Sequence, residues 1–250
     1  MLAKKANSIM NISRIINCVT HVIFDMDGLL LDTEKIYKHG ISTVLGKYGC
    51  EYPDDVKAQV LGSQPPDMMR IIFNNTKIGE NSGKTHDEIY KEIVDTYTPL
   101  MPTAEWMPGA LNLVHHLHKH SIPFAIATSS ARESFELKTT HHKEKLKLFH
   151  HIVLGSADPE VKAGKPAPDI FLVAAKRFDE VPEPRKCLVF EDAPNGVKGA
   201  KAADMSCVMV PDSTIPKHST ELADVVIPSL EHFEPEVFGL PPFEKNGNEV

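Results

Sequence analysis

The sequence predicts an α/β fold, a doubly wound parallel sheet of Rossmann-like type with a small helical block inserted after its first strand, and three observations carry that expectation. Short apolar runs rich in β-branched and aromatic residues alternate with helix-patterned segments along most of the chain. Such alternation implies right-handed βαβ units and a sheet covered on both faces. Residues 34–105, by contrast, carry helical periodicity without a clear strand. Finally, acids, a hydroxyl and a lysine follow directly on the apolar runs, at the carboxyl ends of strands, where these sheets bind their ligands.

The first strand is Val22-Ile23-Phe24, closed by Asp25-Met26-Asp27-Gly28. A β-branched and aromatic run bounded by Gly reads as a strand end. Residues 1–19 before it carry Lys4, Lys5 and Arg14 but no acid, and are expected to form a poorly ordered extension, a weak leader-like charge pattern being the other reading. Asp32 and Thr33 read as a helix start, with the helix running through Tyr48 and stopping at Gly49. Three further helical segments are expected at 56–61, 66–74 and 86–98, punctuated by Gly62, Gly79 and Gly83. Helices are then expected at 108–120, 130–141, 168–177 and 196–203. Strands alternate with them at 123–127, 151–154 and 187–190, and two more follow at 207–210 and 224–227. The expected organisation is therefore a core of residues 20–33 and 106–243, a helical insert at 34–105 and a tail at 244–250.

The chain has 250 residues, 42% hydrophobic and 24% charged, the composition of a soluble globular protein long enough to bury a sizeable core. Its net charge of −7 gives no basic footprint, which argues against nucleic acid polymers and membrane surfaces and for a small-molecule substrate. Cys18, Cys50, Cys187 and Cys207 show neither C-x-x-C nor zinc spacing, as expected of free thiols in a reducing cytoplasm. No stretch approaches the roughly 18 consecutive apolar residues of a membrane span. A cytoplasmic monomer is expected.

Two carboxylates one residue apart at a strand end repel each other unless a cation or a reacting group compensates them. Compensating groups occur further along. Thr128 and Ser129 follow the second strand, Lys165 lies in the Gly164-Lys165-Pro166 turn after the third, and Glu191-Asp192 follow the fourth. A carboxylate can attack phosphorus and split hydrolysis into two easier steps. Asp25 is the candidate nucleophile and Asp27 the candidate acid and base, protonating the leaving alkoxide and then deprotonating the attacking water. Carboxylates facing a phosphate require a hard cation, usually Mg²⁺, with Asp192 and Glu191 completing its site. Thr128 and the N–H groups of Ser129 and Ser130 open a helix and can hold phosphoryl oxygens. Lys165 adds a fixed positive charge.

Taken together, Asp25-Met26-Asp27-Gly28, the apolar strand ending in Thr128, Gly164-Lys165-Pro166 and Glu191-Asp192 resemble the four motifs of the haloacid dehalogenase (HAD) superfamily. Residues 34–105 resemble the inserted helical cap of its β-phosphoglucomutase-like branch. The likeness extends through DMDGLLLDT (25–33), IPFAIATSS (122–130), HIVLG (151–155), GKPAPDIF (164–171), KCLVFEDAPNGV (186–197) and FGLP (238–241), over roughly residues 20 to 243. The resemblance implies a Mg²⁺-dependent phosphatase that forms an aspartyl-phosphate on Asp25. Asp27 would act as acid/base and metal ligand through its backbone carbonyl, Asp25 and Asp192 as the other protein ligands, and Glu191 as an outer-shell acid. Thr128, Ser129 and Lys165 would hold the phosphoryl group. The implied substrate is a small phosphomonoester, pseudouridine 5′-phosphate or a similar nucleoside monophosphate, with sugar and glycerol phosphates as the alternative. Transport ATPases of the superfamily carry Thr where Asp27 stands, so an acid here favours turnover. Phosphomutases carry a His four residues beyond the position of Thr33, where this chain has Tyr37, which argues against mutase activity. A non-catalytic protein on the same fold is disfavoured, because Asp25, Asp27, Lys165 and Asp192 are all present.

Other features read as structural. Gly79 to Thr85 imitates a P-loop, but three residues rather than four separate its glycines and no strand precedes it. The histidines at 115, 116, 118, 120, 141, 142, 150 and 151 lack a metal-ligand pattern and are expected on solvated faces. Met68, Met69 and Trp106 read as packing residues, and Arg70 as an exposed helix arginine.

Overall fold

The structure is a computed structural model that describes residues 16–60, 63 and 65–244. Of the extension expected over residues 1–19 and the tail expected over 244–250, residues 1–15 and 245–250 lie outside the described residues, whereas the N–H groups of Ile16 and Val19 donate to Val237 O at 2.9 Å and Phe238 O at 3.0 Å.

Among the described residues, six strands form one sheet: β1 (His21–Phe24), β2 (Phe124–Thr128), β3 (Ile152–Leu154), β4 (Cys187–Glu191), β5 (Ser206–Met209) and β6 (Val225–Val226). Their order is β3-β2-β1-β4-β5-β6, and each neighbouring pair is parallel. The strands read as nearly continuous apolar runs because both faces are covered. Val22, Phe24, Phe124, Ile126, Leu188 and Phe190 point into one core. Ile23, Ala125, Ala127, Cys187, Val189 and Cys207 point into the other. The chain builds outward from β1 to β3, then returns to place β4 on the other side of β1. Strand order therefore reverses between β1 and β4, which puts the binding crevice beyond their carboxyl ends.

Among the described residues, the insert after β1 carries five α-helices: α1 (Glu34–Lys47), α2 (Asp54–Val60), α3 (Pro65–Asn75), α4 (Ile78–Ser82) and α5 (His86–Tyr97). They enclose an apolar cluster of their own, with Ile41, Leu45, Ile72, Ile78, Ile89 and Ile93 at its centre. The two crossings between insert and sheet are tied to each other. Leu31 and Trp106 form an antiparallel bridge, flanked by Asp32 N–H to Glu105 O at 2.8 Å and Met107 N–H to Leu30 O at 2.9 Å.

The sheet helices are α6 (Ala110–Lys119), α7 (Arg132–Lys138), α8 (Lys143–Leu146), α9 (Asp169–Lys176) and α10 (Pro194–Ala202). One expectation is corrected here. The single helix expected over 130–141 starts two residues later and stops at Lys138, and α8 follows separately. The P-loop imitation is the end of α4, a left-handed Gly83, and Thr85 capping α5 through a reciprocal box with Glu88.

Several histidines also depart from a solvated face. His116 is 8% exposed and bonds Pro241 O. His142 bonds both Trp106 Nε1 and Ala104 O, and His151 bonds Ala174 O.

Candidate active site

Asp25 follows β1 directly, and its N–H donates to Phe190 O on β4 at 3.0 Å. That bond ties the first acid to the strand that ends in Glu191. Lys165 reaches in from the loop after β3 and closes the group. Its Nζ lies 2.5 Å from Asp25 Oδ1, 2.6 Å from Glu191 Oε1 and 3.2 Å from Ala127 O. The other Glu191 oxygen accepts the N–H groups of Asp192 and Ala193, both at 3.1 Å. Glu191 is thus satisfied by the chain itself, whereas no hydrogen bond among the described residues reaches the Asp192 carboxylate.

Asp25, Glu191 and Asp192 are all buried, and one carboxylate oxygen from each lies within 4.8 Å of the others. Two of these acids pair with Lys165, and the Asp192 carboxylate has no ion pair among the described residues. Burial pushes the Asp25 carboxyl up to about 7, with Lys165 opposing and Glu191 and Asp27 adding to the rise. Asp192 is likewise raised, by burial first and then by Glu191, Asp25 and Glu34. Burial would lower Lys165, but its two carboxylate partners outweigh that and hold it above the usual lysine range. A pocket of buried oxygen donors with surplus negative charge suits a hard divalent cation.

Asp27 stands apart from that cluster. Its Oδ1 accepts Thr33 Oγ1 at 2.8 Å and pairs with Lys138 Nζ at 2.7 Å. Its Oδ2 accepts Ser130 Oγ at 2.7 Å and Thr128 Oγ1 at 3.2 Å. Burial alone would raise this carboxyl, yet the Lys138 charge and these hydrogen bonds hold it below the usual carboxylate range. The Thr128 hydroxyl also accepts Ser130 N–H at 3.1 Å, so it is engaged with both Asp27 and the start of the following segment.

The local backbone explains why these groups can meet. Gly28 has φ +76°, and a Cβ there would stand 2.3 Å from Asp192 Oδ2. Gly196 in α10 would put a Cβ 1.8 Å from the Glu191 carboxylate.

Two cavities meet at the site. One of about 140 Å³ is lined by Asp25, Ser129, Lys165, Glu191, Asp192 and Asn195. The other, of about 370 Å³, lies between insert and sheet, with Tyr37, Tyr52, Tyr90, Tyr97, Lys138 and Ser134 on its walls. Asp27, Glu34, Ser63 and Ser129 belong to both.

Sequence reasoning did not single out Lys138, Glu34 or the side chains of Thr33 and Ser130 for the site. A lysine on a short amphipathic helix reads as solvated, and Thr33 reads as a cap, although it makes no side-chain cap bond. Glu34, pushed up to about 7 by burial and then by Asp27, had only its place beside the DMDGLLLDT run as a signal.

The strand order, the acid-lysine group at the reversal point and the joined cavities define a hydrolase of the haloacid dehalogenase kind. A profile described as "Haloacid dehalogenase-like hydrolase" matches residues 22–210, and the chain belongs to that family. A Drosophila melanogaster protein named "Probable pseudouridine-5'-phosphatase" is 46% identical over 231 residues, 92% of this chain and 98% of its own length. The mitochondrial (DL)-glycerol-3-phosphatase 1 of Arabidopsis thaliana is 45% identical over 231 residues, 92% of this chain and 76% of its own. Among solved structures, a HAD family hydrolase from Deinococcus radiodurans with bound phosphate and sodium superposes with a TM-score of 0.73 at 22% identity. It covers 90% of this chain and 99% of that one, a likeness of fold. The chain is a phosphomonoester hydrolase by family and by these relatives. Among the described residues no helix is long and apolar enough to cross a membrane.

Proposed function

We propose that this chain is a Mg²⁺-dependent phosphatase of small phosphomonoesters, with pseudouridine 5′-phosphate or a similar nucleoside monophosphate as substrate, and that it works through an aspartyl-phosphate on Asp25. The observation that carries the reading is Lys165 bridging Asp25 and Glu191 beside the Asp192 carboxylate, which no hydrogen bond among the described residues reaches, all four lining the smaller cavity. In this reading Asp25 attacks phosphorus as the bond to the leaving oxygen breaks, and Asp27, which Lys138 and its hydrogen bonds favour as the carboxylate in the free site, has to be protonated in the substrate complex to give that oxygen its proton. Asp27 then takes a proton from the water that releases phosphate and regenerates Asp25. Lys165, Thr128 and the N–H groups at Ser129 and Ser130 offset the charge on the phosphoryl oxygens. Asp25 and Asp192 would hold Mg²⁺ with the Asp27 carbonyl, and Glu191, already saturated by Lys165 and two N–H groups, would orient them from outside. The ion would supply charge neutralisation at the phosphoryl group.

Residues 34–105 act in this reading as a cap over a core of 20–33 and 106–243, which the separate apolar cluster of the insert supports. The tyrosines on the larger cavity favour a planar nucleobase, while the 45% identity to a glycerol-3-phosphatase supports glycerol phosphate as the second reading. The four free cysteines agree with a cytoplasmic protein. The test is phosphate release from pseudouridine 5′-phosphate, uridine 5′-phosphate, glycerol 3-phosphate and hexose 6-phosphates, with Mg²⁺ or chelator, beside Asp25→Asn. Release by Asp25→Asn, or undiminished release in chelator, refutes the mechanism. Preference for glycerol or a sugar phosphate refutes the nucleotide assignment alone.

A further inference from the structure

Lys138, the last residue of α7, is 2% exposed. A lysine is seldom buried to that degree unless its charge has a fixed partner. Here the partner is Asp27: Nζ stands 2.7 Å from Oδ1 and donates to Ser130 Oγ at 2.9 Å, while that hydroxyl donates to Oδ2 at 2.7 Å. The lysine thus acts on both carboxylate oxygens, directly on one and through a serine on the other. The ring of Tyr37 lies 5.3 Å from Nζ and confines the ammonium on a further side. Thr33 and Thr128 also donate to Asp27, but hydroxyls rotate and can turn to other acceptors, whereas an ammonium carries donors only.

Lys138 does not duplicate Lys165. The hydrogen bonds and ion pairs of Lys165 go to Asp25, Glu191 and Ala127, and those of Lys138 go to Asp27 and Ser130. Lys138 lines the larger cavity and is absent from the walls of the smaller one. It therefore stands on the leaving-group side of Asp27 and away from the Asp25–Lys165 group.

We propose that Lys138 is a positioning residue that aims the Asp27 carboxyl at the leaving oxygen, an inference that rests on the mechanism proposed above. Its loss should be felt in proportion to how much the leaving group needs a proton. Alkoxides need one, and p-nitrophenolate does not. The test is kcat/KM, which covers the steps through departure of the leaving group, for a nucleoside 5′-phosphate and for p-nitrophenyl phosphate with Lys138→Met, Asp27→Asn and the double variant. Lys138→Met is expected to lower kcat/KM by about 100-fold or more for the alkyl ester and by less than about 10-fold for the aryl ester, the span that general acid catalysis commands. Asp27→Asn is expected to show the same bias, and the double variant little further loss. Equal losses on both esters, or losses that multiply in the double variant, would overturn the proposal. Should Lys138→Met not fold by thermal melting, Lys138→Gln is read in the same way, and a wild-type ratio between the two esters in either folded variant overturns it. Turnover retained by Asp25→Asn in the same assay refutes the mechanism itself.

Discussion

Gly196 gives the sharpest test of how the site is held together. It is the third residue of α10, where alanine would ordinarily gain roughly 0.5–1 kcal/mol over glycine. An added Cβ would stand 1.8 Å from Glu191 Cδ and Oε1 and 2.3 Å from Oε2, so the carboxylate or the helix must move. Moving the carboxylate weakens its bonds to Lys165, Asp192 N–H and Ala193 N–H. Breaking a buried charged pair costs on the order of 3–5 kcal/mol. After the helix gain is subtracted, Gly196→Ala should destabilise by about 2–4 kcal/mol, which for a chain of this size lowers the melting temperature by roughly 4–16 °C. Gly46 in α1 is the control, since a Cβ there meets nothing within 4 Å. Gly46→Ala should gain about 0.5–1 kcal/mol and melt slightly higher. Calorimetry of both variants, with phosphatase activity alongside, reads the contrast. Gly196→Ala melting with the wild type and keeping full activity would refute the account of Glu191 as the anchor of Lys165.

Three further outcomes are expected. Asp192→Asn should raise the melting temperature in chelator, because it removes a buried carboxylate crowded by Glu191 and Asp25, while activity at limiting Mg²⁺ collapses; a lower melting point in chelator would contradict that crowding. Burial depresses His21 and His151 below the ordinary imidazole value of 6.5, so the unfolded chain binds more protons than the native one as pH falls. Their contribution to stability is present above about pH 6.5 and is lost as pH drops through their lower native values. Urea unfolding from pH 8 to 5 should show a steeper loss in the wild type than in a His21→Asn/His151→Asn variant. The raised acids at the site act in the opposite direction in both proteins, and identical slopes would remove the histidine explanation. Thr85→Ala opens the capping box of α5 and should cost about 0.5–2 kcal/mol by denaturant titration, while a neutral effect would mean that the insert's packing, not the cap, fixes that helix start.

The sheet was legible because strands covered on both faces leave unbroken apolar runs: the expected 187–190 falls one residue short of β4, and the expected 207–210 is β5 shifted by one residue. Asp25, Lys165, Glu191 and Asp192 were legible as a group because each directly follows a strand or closes the turn after one. Local sequence could not separate α7 from α8, since the break at 139–142 contains neither Gly nor Pro. Nor could it reveal Lys138, whose burial depends on Asp27, far away in the chain. Trp106 was read as packing alone, and its indole bond to His142 at 3.1 Å required knowing that α7 ends beside the second crossing.

The bridge between Leu31 and Trp106 has a consequence for how such a chain can be altered. Because two hydrogen bonds flanking this bridge, Asp32 N–H to Glu105 O and Met107 N–H to Leu30 O, hold the two crossings together, the sheet experiences everything between them as one short turn. The ends of the intervening segment meet whatever its contents, so its length adds little to the entropy of joining β1 to β2. On the reading proposed for the insert, exchanging that segment for another with a closed pair of ends would be a transplant at one suture, in which leaving-group preference is rewritten while the acids below remain where β1 and β4 put them.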